Sequence, residues 1–164
     1  MKKLVLIFAM FIIGAAAQAS YAQSEKLSDK DKLILASRFL EEKPFDKDAK
    51  NIRAWAFTWA ADTKDVTVII CGLSGPFMDK KVKFGSELLA QYAISMTAFK
   101  LQNPDKKDDE NAAQLAGVES TLKAYEAMVK ENPKAKADSV EALLTKRNNG
   151  ELAKWVADGD CGKK

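Results

Sequence analysis

The fold is decided by residues 88–99, LLAQYAISMTAF, which contain no charge in a chain where charged residues occupy 30% of positions. Leu88, Tyr92, Met96 and Phe99 follow the spacing of one helix face, and further apolar residues widen that face towards most of the circumference. Such a helix must be buried. It is too short to cross a bilayer, which takes about 20 apolar residues. We therefore predict an all-α bundle around a central helix at about 85–101.

Helical patterns also precede and follow this central stretch. Ser28 can cap a first helix over residues 29–42, and a second helix follows the Pro44 break. Acidic residues at 108–110 suit the positive amino end of a helix after the central one. Asn-Pro and Asn-Gly breaks then separate two shorter helices. The pattern predicts five or six helices in one domain, residues 23–164.

One short run departs from helical spacing. Residues 66–70, VTVII, are almost all β-branched and would form a strand in isolation. No other segment offers a strand to pair with, and an unpaired strand leaves backbone groups without hydrogen bonds. We therefore favour a short helix capped by Asp65 or a buried extended connector, and the sequence leaves the choice open.

The amino terminus has the pattern of a secretory signal peptide. Lys2 and Lys3 precede an apolar run at 4–13, and small residues then lead to a cleavage site, after Ala22 as the first choice and after Ala19 as the second. We expect residues 1–22 to be removed during export. The mature protein is then expected to be a bacterial one that is periplasmic or secreted. No stable membrane insertion is expected after cleavage.

The charge balance gives little support to nucleic acid as a partner. The chain has 26 basic and 23 acidic residues, and removal of Lys2 and Lys3 leaves 24 basic ones, a formal charge of +1. A chain without a dominant sign of charge lacks the field that steers proteins to phosphates. We expect no nucleic-acid partner.

Two cysteines, Cys71 and Cys161, remain in the mature chain. Export places them in an oxidising compartment, where an even count favours a disulfide. We predict that they pair and lock the last helix against the central one. With both thiols oxidised, the usual ligands of zinc and iron–sulfur sites are lost.

The residue types present restrict the possible chemistry. The chain has no histidine, the commonest general base and transition-metal ligand. We expect no metal and no cofactor. An enzyme would have to rely on other groups, and a glycosidase-like hydrolase using Glu87 with Asp62 or Glu119 is the catalytic alternative.

Aromatic residues and one arginine form the candidate binding site. Arg53, Trp55 and Trp59 lie on one predicted helix, and the disulfide would bring Trp155 towards them. Three tryptophans around a cleft can bind a peptide or a small apolar ligand, although they can equally fill a core. Our first hypothesis is therefore an exported, non-catalytic binding or interaction module, with an unidentified protein, peptide or small apolar ligand as its partner.

A helical-repeat scaffold is a further alternative. The segment from Tyr125 to Pro133, YEAMVKENP, resembles the tail of a tetratricopeptide repeat, and the resemblance covers only that half-repeat. Asn103-Pro and Asn132-Pro lie 29 positions apart, against about 34 residues per repeat in that family. Helical hairpins can nevertheless stack without a clean signature.

Overall fold

The computed structural model describes residues 27–161, and these residues form α-helices joined by loops and short 3₁₀ turns, with no β-strand. The predicted signal peptide, residues 1–22, lies outside them. The all-α fold is confirmed. Residues 27–161 contain seven α-helices instead of the predicted five or six, because a four-residue helix forms in the predicted loop before the central helix. They are α1 Asp29–Glu42, α2 Ala49–Asp62, α3 Gly75–Met78, α4 Gly85–Gln102, α5 Glu110–Glu131, α6 Asp138–Asn148 and α7 Leu152–Asp158.

Helix α4 is the centre of the bundle, as predicted. Every residue from Ala90 to Ala98 is buried, because α1, α2, α3 and α5 all pack against it. No helix within residues 27–161 is long and apolar enough to cross a membrane. The uncharged stretch therefore serves as the core of the bundle.

Small and polar residues let α5 and α1 approach α4 closely. A Cβ atom added to Gly117 of α5 would lie 2.6 Å from Met96 Cγ, so no larger residue fits there without movement. The Nε2 of Gln91 donates hydrogen bonds to the Ser37 carbonyl at 3.0 Å and the Ser120 hydroxyl at 2.8 Å. Ser37 and Ser95 hydroxyls lie 2.9 Å apart. This polar layer fixes the position of α1, α4 and α5 while keeping most of its own polar atoms paired.

Two apolar clusters lie on either side of this layer. The larger joins the carboxyl-terminal half to α4 and includes Tyr92, Met96, Leu122, Tyr125, Val140 and Val156. The smaller lies between α1, α2 and α4 and is built largely from alanines, with Leu33, Leu40 and Ile94. Helix α2 is thus held mainly by small buried side chains, whereas α5 is held by large ones.

Residues 66–71, between α2 and α3, contain no helix, strand, turn or bend, so this segment is an extended connector. The alternative of a short helix was wrong. The expectation of burial was also wrong, since the side chains of Ile69 and Ile70 are 40% and 48% exposed. An extended segment beside helices cannot hide both of its edges, because helices have no free backbone groups to pair with them.

The predicted disulfide between Cys71 and Cys161 is confirmed, with Cα atoms 6.0 Å apart and a sequence separation of 90 residues. It joins the end of the connector to the segment after α7. Helix α7 was expected to pack against the central helix. It packs mainly on α5 and α6 instead.

Candidate functional site

An open cleft of about 360 Å³ lies between the connector and the start of α5. One wall is the non-helical segment 64–69, the other is the turn before α5 together with the first residue of α5, and the end of α4 provides the floor. Its lining is charged and polar, with two apolar side chains. The lining residues are Lys64, Asp65, Val66, Thr67, Ile69, Lys100, Lys107, Asp108 and Glu110.

A buried ion pair forms the floor of the cleft. The Nζ of Lys100 lies 2.8 Å from Oε2 of Glu110, and the side chain of Lys100 is only 5% exposed. The same Nζ donates a hydrogen bond to the Thr67 carbonyl at 2.7 Å. Because a lone ammonium is costly to bury, this lysine needs both acceptors. Lys100 therefore fixes the connector to α4 and α5.

Gln114 of α5 makes the second attachment of the connector. Its Nε2 donates to the Ile69 carbonyl at 2.7 Å and to Oε1 of Glu110 at 2.8 Å. Its Oε1 accepts a hydrogen bond from the Tyr92 hydroxyl and lies 3.9 Å from the Sγ of Cys71. Burial raises the pKa of Tyr92, and the nearby Glu110 carboxylate raises it further. The tyrosine thus stays protonated and remains a donor to Gln114.

Asp65, the residue just before the connector, also has partners for its carboxylate. Oδ1 of Asp65 lies 3.0 Å from the Nζ of Lys30, and its Oδ2 accepts a hydrogen bond from the Thr63 hydroxyl at 3.3 Å. Within residues 27–161, no ion pair involves Lys64, Lys107 or Asp108, which are exposed at the rim. The rim therefore carries charges of both signs, while the two other carboxylates have partners.

The predicted tryptophan site is divided between separate parts of the fold. Trp55 is 38% exposed on the outer side of α2, and Trp59, one turn later, packs against the smaller cluster. Trp155 packs against the larger cluster, on α7. These contacts do not bring Trp155 to the other two, because the disulfide attaches its segment to the connector and not to α2.

Arg53 is bonded to the backbone instead of being paired directly with a carboxylate. Its Nη2 donates to the Pro44 carbonyl at 2.9 Å, and its buried Nε has no partner among the described residues. Burial lowers the pKa of this guanidinium, and the charge of Glu87 offsets part of that effect. The side chain therefore links α2 to the turn between α1 and α2.

The carboxylates of the hydrolase alternative do not line the cleft. Glu87 lies in the first turn of α4, where its charge acts on Arg53 of α2. Asp62 is the last residue of α2, nine residues or about 13 Å along that helix from Arg53. Glu119 lies halfway along α5, where its charge acts on Arg147. Among residues 27–161, no group of three or more potential ligands is placed to hold a metal ion.

Sequence reasoning missed the cleft residues, although one signal was present. Lys100 is four residues after Met96 and therefore lies on the same buried face of the central helix. A lysine at such a position requires an acceptor, and Glu110 was already expected in the first turn of the next helix. The sequence did not indicate that the connector would supply the second acceptor.

Searches against protein-family models, curated proteins and solved structures gave no match to this chain.

Proposed function

We propose that this protein is an exported, non-catalytic binding module and that its ligand site is the cleft beside the connector. The observation that carries the proposal is the distribution of charge in that cleft. Its buried charges are matched internally, while Lys64, Lys107 and Asp108 at the rim are unpaired among the described residues. A site with free charges of both signs suits a ligand that also has both, such as a short peptide with its two charged termini.

The state of the two paired carboxylates of the cleft supports binding over catalysis. Both oxygens of Glu110 have partners, in Lys100 and Gln114, and both oxygens of Asp65 have partners, in Lys30 and Thr63. A general base or nucleophile needs a free oxygen facing the substrate. A ligand could be held by the rim without any of these four interactions being broken.

The other interpretations have less support. A glycosidase-like site requires two carboxyl groups about 5 to 9.5 Å apart across the substrate, and Glu87, Asp62 and Glu119 are spread over three helices. A tetratricopeptide-like array requires each hairpin to contact only its neighbours. Helix α4 instead packs on α1, α2, α3 and α5 together.

The binding part of the proposal is tested with triglycine as the probe and acetyl-triglycine amide, which has no charged terminus, as its neutral counterpart. We expect triglycine to shift the amide resonances of residues 64–69 and 107–110 in ¹⁵N–¹H spectra, and the neutral compound to have a much smaller effect. Lys107→Gln should weaken binding about twofold to fivefold, as for an exposed charge pair. Lys106→Gln, an exposed neighbour outside the cleft lining, is the matched control.

Two results would reject the proposed function. One is an absence of shifts in the cleft with either probe. The other is release of nitrophenol from a panel of aryl glycosides, with loss of that activity in Glu87→Gln. Export is tested separately by expressing the full chain in a bacterial host and sequencing the amino terminus of the exported form, which should begin at Gln23.

A further inference from the structure

The connector has two edges, and they differ in their hydrogen bonding. In an extended chain, alternate residues direct their N–H and C=O groups to the same edge. The carbonyls of Thr67 and Ile69 face α4 and α5, where Lys100 and Gln114 bind them. The N–H and C=O groups of Val66, Val68 and Ile70 consequently face the other way, and none of them has a hydrogen-bond partner among the described residues.

This outer edge lacks the devices that normally protect an unpaired strand. Proteins protect such edges with charged side chains, prolines, bulges or a covering element. Residues 66–70 contain no charge and no proline, and Ile69 and Ile70 are 40% and 48% exposed beside the edge. The edge is therefore suited to accept another strand.

The edge is also held in its extended form before any partner arrives. The disulfide at Cys71 fixes one end, and the pairing of Asp65 with Lys30 restrains the other. Lys100 and Gln114 hold the middle. Little conformational entropy remains to be lost when a second strand pairs with it.

We propose that the partner of this edge is the connector of a second copy of the chain, paired antiparallel about a two-fold axis at Val68. In this register Val66 of one copy faces Ile70 of the other, and Val68 faces its own counterpart. Every free donor and acceptor on the edge of both copies is then paired.

The same register is favourable for the side chains. It places Thr67 opposite Ile69, a pair of β-branched residues of the kind that stabilises antiparallel strands. Lys64 and Asp65 would face Gly72 and Cys71, so no like charges meet. The dimer uses none of the hydrogen bonds by which Lys100 and Gln114 hold the inner edge.

Self-association is tested by sedimentation of the exported protein from low micromolar to near-millimolar concentration. We expect a monomer–dimer equilibrium. Ile70→Pro removes one outward N–H from each copy and should raise the dimer dissociation constant about tenfold or more. Ile69→Pro is the matched control: it removes a similarly exposed isoleucine and its pairing with Thr67 but an inward N–H, and it should raise the dissociation constant at least about threefold less than Ile70→Pro does. Circular dichroism establishes that both variants are folded.

Amide exchange provides an independent measurement on the unaltered protein. Dimer formation should protect the N–H groups of Val66, Val68 and Ile70 and leave those of Thr67 and Ile69 unchanged. A protein that stays monomeric over the whole range overturns the proposal. So does equal weakening by the two proline variants, which would indicate association through isoleucine side chains, or protection without the alternating pattern.

Discussion

Two uncharged stretches of this chain have opposite fates. Residues 88–99 lie in the central helix and are almost completely buried, whereas residues 66–71 lie along the surface as an extended connector. Within α4 the backbone groups bond to each other, so only the side chains need neighbours. The connector has to find backbone partners elsewhere, and it finds them on one edge only, in Lys100 and Gln114.

The difference teaches that apolar composition brings a segment to the core but does not determine how deeply it is buried. The decisive quantity is the number of backbone groups that the surroundings can satisfy. A helical bundle offers no free strand edge, so an extended segment can only be held by side chains long enough to reach it. Lysine and glutamine fulfil this condition here.

The strongest test of this comparison is Lys100→Met, which removes the cation beneath the connector. We expect it to lower the free energy of unfolding by about 2–4 kcal/mol, because the half-buried Glu110 loses its cation and the Thr67 carbonyl loses its donor. Urea unfolding measures the change.

The matched control for that variant is Lys123→Met, which removes the exposed member of a pair with Glu41 at 3.6 Å. It should cost less than about 1 kcal/mol. Equal losses from the two variants would contradict the view that the connector depends on a buried anchor.

A second test removes the covalent attachment of the connector by changing Cys71 and Cys161 to serine together. The free energy of unfolding should fall by about 2–4 kcal/mol. Hydrogen exchange should accelerate first in residues 149–161 and in the connector, while α4 stays protected because its backbone bonds are internal. Uniform acceleration would show that the two stretches unfold together. Two free thiols in the unreduced exported protein would contradict the disulfide itself.

The last test concerns pH. Burial raises the pKa of Tyr125 to about 12, and burial also raises that of Tyr92 in α4. Below about pH 10 both tyrosines are neutral in the folded and unfolded states, so they cause no pH dependence. Above it the unfolded chain loses protons that the folded chain retains, and stability should fall as pH rises towards about 12.

Melting temperatures between pH 6 and 12 check this expectation. The curve should be flat from about pH 6 to 8, where the absence of histidine removes the usual titrating group. Tyr125→Phe should lessen the alkaline decline even though it lowers the starting stability by removing the bond to the Ala137 N–H. An unchanged slope in that variant would assign the decline to other groups.

Much of the fold was predictable because helices are formed by local interactions. The spacing of apolar residues predicted α1, α2, α4 and the later helices, and the proline breaks after Asn103 and Asn132 end α4 and α5 as expected. The four-residue α3 was missed, since Gly75 and Pro76 in sequence indicate a loop. The disulfide was predictable from the count of cysteines and the expected export.

The candidate site was much less predictable. Trp55, Trp59, Trp155 and Arg53 were chosen for their residue types, and the fold distributes the tryptophans between α2 and α7. The cleft instead combines Lys64, Lys107 and Asp108, which are unremarkable as single residues. They line one cleft because the connector, the end of α4 and the start of α5 meet there.

The sequence by itself determined that this chain is helical, that residues 88–99 form its centre and that Cys71 can pair with Cys161. Spacing along one chain and composition are sufficient for these conclusions. Only the tertiary structure decided that residues 66–71 remain extended, with one edge bonded and one edge free. The physical reason is that their backbone hydrogen bonds depend on side chains more than 30 positions away, Lys100 and Gln114, whose distance from the connector is set by the packing of α4 against α5.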